Sequence, residues 1–493
     1  MEKVQGIHMY VNIKNIDAII KEEEKNDDDL KRTLHRLQTY FVGHTRMIKK
    51  YGAKIEKYTG GRSHIVLQND ENEIKSDKLL KIAVASFIYN NKIFNKLSKY
   101  SLYPKFNIHA GIDFGEYYNY EIQDDINLVE NTSIGRVANN SAKIQTQAPT
   151  NFIYVTQTFI DTLSREMKEK FSELDETEKE DFNGKIRSKK IYKARYSNIF
   201  DEESMNQIEQ ELDEIKEKVE DESSNLNIKD IVFENVTKKL SFKHLSLKGT
   251  NKRLEGGVLC ADIRGFTKLF HNNDQNLDDL FEVMEEIYFI MGSVINDYDG
   301  TVVQYQGDRI LAVFNDYNGQ SDNSIMRMLE AAFMLNSKIQ SLNENHIIQQ
   351  KLNHKKISIG TGCSFGKVIA TRLGLNANKD NLILSESYKK ANTSEEKYAD
   401  SDEIVIWKTI KESIDDTVKE SETAKFLALE EAFESVNKTG FYKTTMTIEE
   451  FEEMVNQKKD LEDTIQSAFN ANFLRDGDGN AKKVQIKPWG QII

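Results

Sequence analysis

The chain has 493 residues, 39% of them hydrophobic, and only three prolines, which suits two or three packed domains without long disordered linkers. Its formal net charge of −13 excludes general nucleic-acid binding, which needs a cationic surface. No apolar run approaches bilayer length and Met-Glu-Lys-Val has no signal-peptide character, so no membrane partner and a cytoplasmic setting are expected. Cys260 and Cys363 lie in apolar runs and read as small reduced core residues.

In chain order, Ile7–Ile16 begins as a strand, and Gly52–Arg62 reads as a strand entering a glycine turn at Gly60-Gly61. Lys81–Phe94 is apolar but short and broken by Asn-Asn-Lys, a core helix. Ile108–Gly115 is a strand, and Ile134-Gly135 opens a helix carrying Asn139 and Lys143. A basic run, Lys185-Ile-Arg187-Ser-Lys189-Lys190, follows. Residues 197–250 are acidic and polar, and Ile208, Leu212, Ile215 and Val219 recur at helical spacing. They read as a helical connector, or more sharply as a dimerising or signal-relaying helix.

Gly256-Gly-Val-Leu-Cys-Ala is an apolar strand ending on Asp262, and Ile263-Arg264-Gly265-Phe266-Thr267 turns into a helix pattern. An amphipathic helix over roughly Leu277–Tyr298 separates it from a second carboxylate, Asp308, in a turn between two strand-like runs. Two carboxylates at adjacent strand ends can share a pair of divalent ions, and free N–H groups at Gly265-Phe266-Thr267 can seat phosphates. Alone, Asp262 would read as a helix cap and Asp308 as a turn residue. Beyond residue 412, Phe426–Val436 and Ile448–Phe469 look helical. Asp476-Gly-Asp478-Gly-Asn480 starts like a calcium loop, but Lys487 stands where the bidentate Glu belongs.

A long repeat runs through these elements. Ile7–Ile16 lines up with Leu259–Phe266, Gly52–Arg62 with Gly300–Arg309, and Ile108–Gly115 with Gly360–Gly366. Each copy reads β-α-α-β-β-α-β, an α+β domain with helices on one face of a mostly antiparallel sheet. Two copies in one chain can pair as a pseudo-two-fold dimer.

The words Asp-Ile-Arg-Gly-Phe-Thr and Gln-Gly-Asp-Arg-Ile-Leu-Ala-Val-Phe, at this separation, resemble the class III nucleotidyl cyclases. That resemblance implies two ferredoxin-like cyclase domains forming an intramolecular pseudo-heterodimer. The expected bounds are 1–196 for a domain supplying base and transition-state residues, 197–250 for the linker, 251–412 for the metal-bearing domain, and 413–493 for a mostly helical extension. It implies metal ligation of two Mg²⁺ or Mn²⁺ ions by Asp262, Asp308 and the Ile263 carbonyl. Asn139 would orient the ribose and Lys143 would stand for the family's transition-state Arg. Lys57 and Thr132 would read the base, and Lys189 would join Gly265, Phe266 and Thr267 in binding phosphates.

The opposite site is expected to be degenerate. The first copy has Asn12 and Gly61 in place of the metal carboxylates, and the second copy's Tyr388–Glu396 window is read as retaining Asn392 with Glu396 in place of the cation. The expected activity is cyclisation of a nucleoside triphosphate to a 3′,5′-cyclic nucleotide with release of pyrophosphate. The base stays open at this point. Lys57 with Thr132 suits ATP, whereas the lack of a recognisable sensor domain resembles the pyrimidine cyclases of phage-defence Pycsar systems, whose cUMP or cCMP is read by a separate effector. A silent nucleotide-binding regulator is the rival from another class, and further self-association is left open.

Overall fold

The computed structural model describes residues 2–25, 30–69, 75–123, 129–175, 190–265, 276–320, 322–375, 378–420, 423–437 and 439–473. The first sheet is built on β1 (Glu2–Ile13), a hairpin of β2 (Lys54–Thr59) and β3 (Arg62–Gln68), the long β4 (Ile108–Gln123) with β5 (Val129–Ile134), and β6 (Phe152–Thr156), β7 (Ser172–Glu173) and β8 (Ile191–Arg195). Its order is β2-β3-β1-β4-β6-β8-β7, with β5 on β4. Alternation on β1 explains its two faces: Ile7, Met9, Val11 and Ile13 enter the main apolar core, and His8, Tyr10 and Asn12 point the other way.

Helices α1 (Ile16–Lys25), α2 (Lys31–Lys50) and α3 (Ser76–Ile88) supply that core. Helix α4 (Arg136–Gln147) instead packs on β4 and β1, so the expectation of helices on one face only is corrected. The reason is Gly111: a Cβ there would stand 2.4 Å from the Ser141 carbonyl oxygen, so its absence admits the helix backbone. Gly362 does the same in the second domain, where a Cβ would lie 2.3 Å from the Ala391 carbonyl oxygen.

The second sheet repeats the order. It has β9 (Val232–Asn235), β10 (Thr250–Arg264), β11 (Thr301–Tyr305), β12 (Arg309–Asn315), β13 (Ser358–Leu375), β14 (Asn378–Leu384), β15 (Ile404–Trp407), β16 (Glu434–Ser435) and β17 (Phe441–Thr444). They run β11-β12-β10-β13-β15-β17-β16, with β14 on β13 and β9 on β10. Strands β16 and β17 lie beyond residue 412, in the segment expected to be a separate helical extension. They are the counterparts of β7 and β8, and Phe433, Phe451 and Val455 join the domain's core, so this segment belongs to the second domain. Residues 474–493, which carry the Asp476 loop, lie outside the described residues.

The connector is helical where its apolar spacing predicted a helix. Its helices, Glu202–Glu211 and Asp213–Asn225, bury Ile208, Leu212, Ile215 and Val219 in the first domain's core. The apolar stripe is used inside the chain, which removes the ground for a dimerising role. Residues 226–249 are largely irregular rather than helical, and β9 pairs in parallel with β10.

The two domains clasp each other through reciprocal arms. Tyr118 and Ile134, on the β4–β5 arm, pack into the second domain's core, where Tyr118 meets Phe281 with ring centroids 5.5 Å apart. Ile369, Leu373, Leu382 and Leu384, on the β13–β14 arm, pack into the first domain's core. There the Gln38 amide accepts from the Gly374 N–H at 2.9 Å and donates to its carbonyl at 3.2 Å. Among the described residues, no helix is long and apolar enough to cross a membrane.

Candidate active site

Asp262 is the penultimate but one residue of β10, paired with Arg309 and Gly360 in the flanking strands. Asp308 follows Gly307, whose φ of 71° makes the tight turn between β11 and β12. The Ile263 N–H donates to the Asp308 carbonyl at 3.2 Å and fixes the strand end against the turn. The carboxyl groups of Asp262 and Asp308 share a hydrogen bond. Burial, then the charge of Asp308, raises Asp262 well above the ordinary carboxylate range; Asp308 is raised too, chiefly by burial.

Arg264 is the nearest counter-charge, its Nη1 2.9 Å from Asp262 Oδ2 and 2.6 Å from Glu395 Oε1. It also donates to the carbonyls of Glu395 and Ala399, each at 2.9 Å. Gly360 makes room for it: a Cβ there would stand 2.2 Å from Arg264 Nη2. Glu395, with Arg309 3.6 Å away, is pushed up to about 7 by burial, against the pull of the two arginines. This Arg264–Glu395–Arg309 support was not foreseen in the sequence. Arg264 lay inside a recognised motif, but nothing marked Glu395 as its partner.

Lys143 reaches the same place from the first domain, where its charge lowers the Asp308 pKa across the interface. Asn139 lies one helical turn earlier on the same face of α4. Lys57 is buried and donates to the Tyr305 carbonyl, just ahead of the Asp308 turn. Thr132 is also buried, opposite Tyr120 in the β4–β5 pair. Gly265 has a left-handed φ of 76°. Phe266, Thr267 and Lys189 lie outside the described residues.

The other composite site differs at each of these places. Asn12 is 3.2 Å from His109, which occupies the position of Gly360 and is 2.7 Å from Gln145. At Gly61 a Cβ would meet Ile16 at 3.0 Å, so a carboxylate could enter only by moving that side chain. The sequence reading of the second copy's helix is corrected here. Arg136 and Glu386 begin the equivalent helices, which places Lys389 and Thr393, not Asn392 and Glu396, opposite Asn139 and Lys143. Lys389 pairs with Asp17 at 3.4 Å, and Glu395 and Glu396 face Arg264 and Arg309 instead. The site still lacks both carboxylates, and a neutral threonine stands in place of Lys143.

The donor chemistry of the first site fits hard divalent cations. Two buried carboxyl groups stand side by side, each raised by burial and so disfavoured as bare anions, and divalent cations would compensate their charge. No cluster of three or more His, Cys, Asp or Glu of metal-binding geometry occurs among the described residues, so further ligands would come from backbone, water and phosphate oxygens.

Residues 252–426 match the adenylate and guanylate cyclase catalytic domain family. An adenylate cyclase from Anabaena cylindrica is 26% identical over 139 residues, 28% of this chain and 26% of that protein. The chain therefore spans about a quarter of this curated relative's length. A class III adenylyl cyclase-like ATP-binding protein from Pseudomonas aeruginosa aligns over 92% of this chain and 90% of its own, with a TM-score of 0.69 and 18% identity. The fold of that neighbour is thus shared across both domains, and the similarity to the adenylate and guanylate cyclase catalytic domain is carried by residues 252–426.

Proposed function

We propose that this chain is a nucleotide cyclase with one working composite site, converting a pyrimidine nucleoside triphosphate to its 3′,5′-cyclic nucleotide and pyrophosphate. The observation that supports the cyclase reading is that the charge of Lys143 in one domain acts on Asp308 of the other, whose carboxyl is hydrogen-bonded to Asp262. Asp262 and Asp308 would hold two Mg²⁺ or Mn²⁺ ions, with the Ile263 carbonyl as a further ligand. Such ions, when bound, lower the pKa of a coordinated hydroxyl and neutralise phosphate charge. Lys143 presents a cation to charge growing on the α-phosphate, and Asn139 holds the ribose with its 3′-OH in line. The 3′-oxygen attacks the α-phosphorus, the bond to the β-phosphate oxygen breaks, and pyrophosphate leaves. Gly265, Phe266, Thr267 and Lys189 are assigned to the phosphates.

The pyrimidine assignment draws support from Lys57, whose ammonium is engaged by the Tyr305 carbonyl rather than presented alone to a base. The product would then be a messenger read by a separate effector protein, as in phage defence. A second reading, ATP as ligand, draws support from the relatives named an adenylate cyclase and an ATP-binding protein. Incubating the protein separately with ATP, GTP, CTP and UTP plus Mn²⁺ and resolving the products decides between them. Cyclic UMP or CMP supports the proposal, and cyclic AMP replaces its base assignment. Binding of a triphosphate without any cyclic product leaves a silent nucleotide binder.

A further inference from the structure

We propose that Glu56, His64 and His8 form a buried positioning network that sets the base selectivity of Lys57 and Thr132. The proposal rests on the base-pocket reading above. The register of β2 slips between Ile55 and Lys57, so Glu56 is the extra residue of a bulge and sits beside Lys57 opposite His64. The Glu56 carboxylate accepts from the Ser133 N–H at 3.0 Å and from the Ser133 hydroxyl. Ser133 directly follows Thr132. A single carboxylate thus ties together the chain segments that carry both base-reading residues, although they lie on strands that are not paired with each other.

His64 backs this tie. Its Nδ1 is 3.1 Å from Glu56 Oε1, and its Nε2 is 2.8 Å from Nδ1 of His8. Tyr10 stacks on His64 at 4.2 Å, and His8 lies edge-on to Tyr117 at 4.3 Å. His64 thus stands within hydrogen-bonding distance of both Glu56 and His8. His8 Nε2 is buried with no hydrogen-bond partner among the described residues. Burial works against the charge on Glu56, but His64, His8 and the Ser133 hydrogen bond outweigh it and hold the carboxyl below its usual range.

The fold does not require any of this. By strand register the counterparts of Glu56, His64, His8 and Ser133 are Val303, Leu311, Val258 and Ile383. In the second domain these four pack together as an apolar cluster. A buried ionised network at a place that apolar residues fill well is a stability liability, so its retention points to a use. It occurs in the copy that carries Lys57 and Thr132, and Lys57 bonds to the Tyr305 carbonyl just ahead of the Asp308 turn. The counterparts of those two residues in the other copy are Gln304 and Leu382.

The test is equilibrium binding of the 3′-deoxy analogues of ATP, GTP, CTP and UTP, which cannot cyclise, to the full chain with Mn²⁺. Tripolyphosphate serves as a probe without a base. The wild type should prefer one base, and Glu56→Gln should reduce that preference at least tenfold while leaving tripolyphosphate affinity unchanged. Ser133→Thr, which keeps the hydroxyl, should retain the preference. The double variant Glu56→Val/His64→Leu, built from residues the second domain already packs, should fold and also lose it. An unchanged preference in Glu56→Gln or the double variant overturns the proposal. So does an equal loss of tripolyphosphate binding, or a wild type without any preference. If selectivity behaves as expected but no triphosphate is cyclised, the cyclase reading fails and the positioning role stands.

Discussion

Lys57 and Gln304 hold equivalent places, each the residue after the bulge of its hairpin, and each bonds to the residue following the other. Lys57 donates to the Tyr305 carbonyl, and Gln304 donates to the Tyr58 carbonyl at 2.9 Å. This pair of crossed bonds expresses the pseudo-two-fold axis directly. Between them lies the chemical difference: a cation points toward the Asp308 turn, and a neutral amide points toward the turn that carries Gly61.

Metal should reveal the carboxylate pair before any turnover is measured. Adding Mn²⁺ at about a hundredfold excess over its Kd should stabilise the wild type by ~2.7 kcal/mol through binding to the folded state. Thermal melts should show that shift for the wild type and lose most of it in Asp262→Asn and Asp308→Asn. Stripping the metal with a chelator should reverse it.

Lys143→Ala should lower kcat by on the order of 10²–10³, the usual loss when one donor to a developing oxyanion is removed. Lys143→Arg should keep most activity. Thr393→Ala and Asn12→Ala, the changes at matching places in the opposite site, should leave kcat near wild type. Steady-state cyclic nucleotide formation tests all four. Retained activity in Asp308→Ala would remove the site assignment itself.

The contribution that Glu395 makes to the stability of the metal-free protein should be lost as pH rises through about 7. Glu395 is raised to about 7 and Asp262 is raised as well, so the folded state holds protons that the unfolded chain releases. Stability from this source is full below the ordinary carboxyl range and disappears as pH passes about 7. The difference in urea midpoint between the wild type and Glu395→Gln, followed from acid to mildly alkaline pH, should shift against the wild type across that window.

Gly61→Asp should not rebuild a metal site, even combined with Asn12→Asp. The new side chain must displace Ile16, which a Cβ would meet at 3.0 Å, and should cost about 1–3 kcal/mol of stability. Unfolding midpoints and Mn²⁺-dependent melts of the double variant check both parts.

Val219→Asp should destabilise the chain by roughly 3–5 kcal/mol, because it places an unpaired charge in the first domain's core. Sedimentation should show no change of oligomeric state, since that face is already covered within the chain.

Much of this was legible in the sequence for identifiable reasons. Asp262 and Asp308 sit at strand ends inside distinctive words, and the matching of Gly52–Arg62 with Gly300–Arg309 already set a strand and a tight turn in each copy. The helix at Glu386–Thr393 was misread because Ser385 replaces the opening glycine, and a nearby Asn392 invited a slide of three residues. Strands β16 and β17 were missed because Glu434-Ser435 and Phe441–Thr444 are too short and polar to show a period of two. The Glu56 network was illegible for another cause: His8, Glu56, His64 and Ser133 are each unremarkable alone, and only the folded sheet brings them together.

The docked connector also bears on how the protein would behave on dilution. Its helices are built into the first domain, and β9 runs alongside β10 of the second. Bringing Lys143 to Asp308 is therefore a first-order event within one molecule, set by an effective local concentration rather than by encounters in solution. On the proposed cyclase reading, turnover per mole of chain would then be independent of protein concentration.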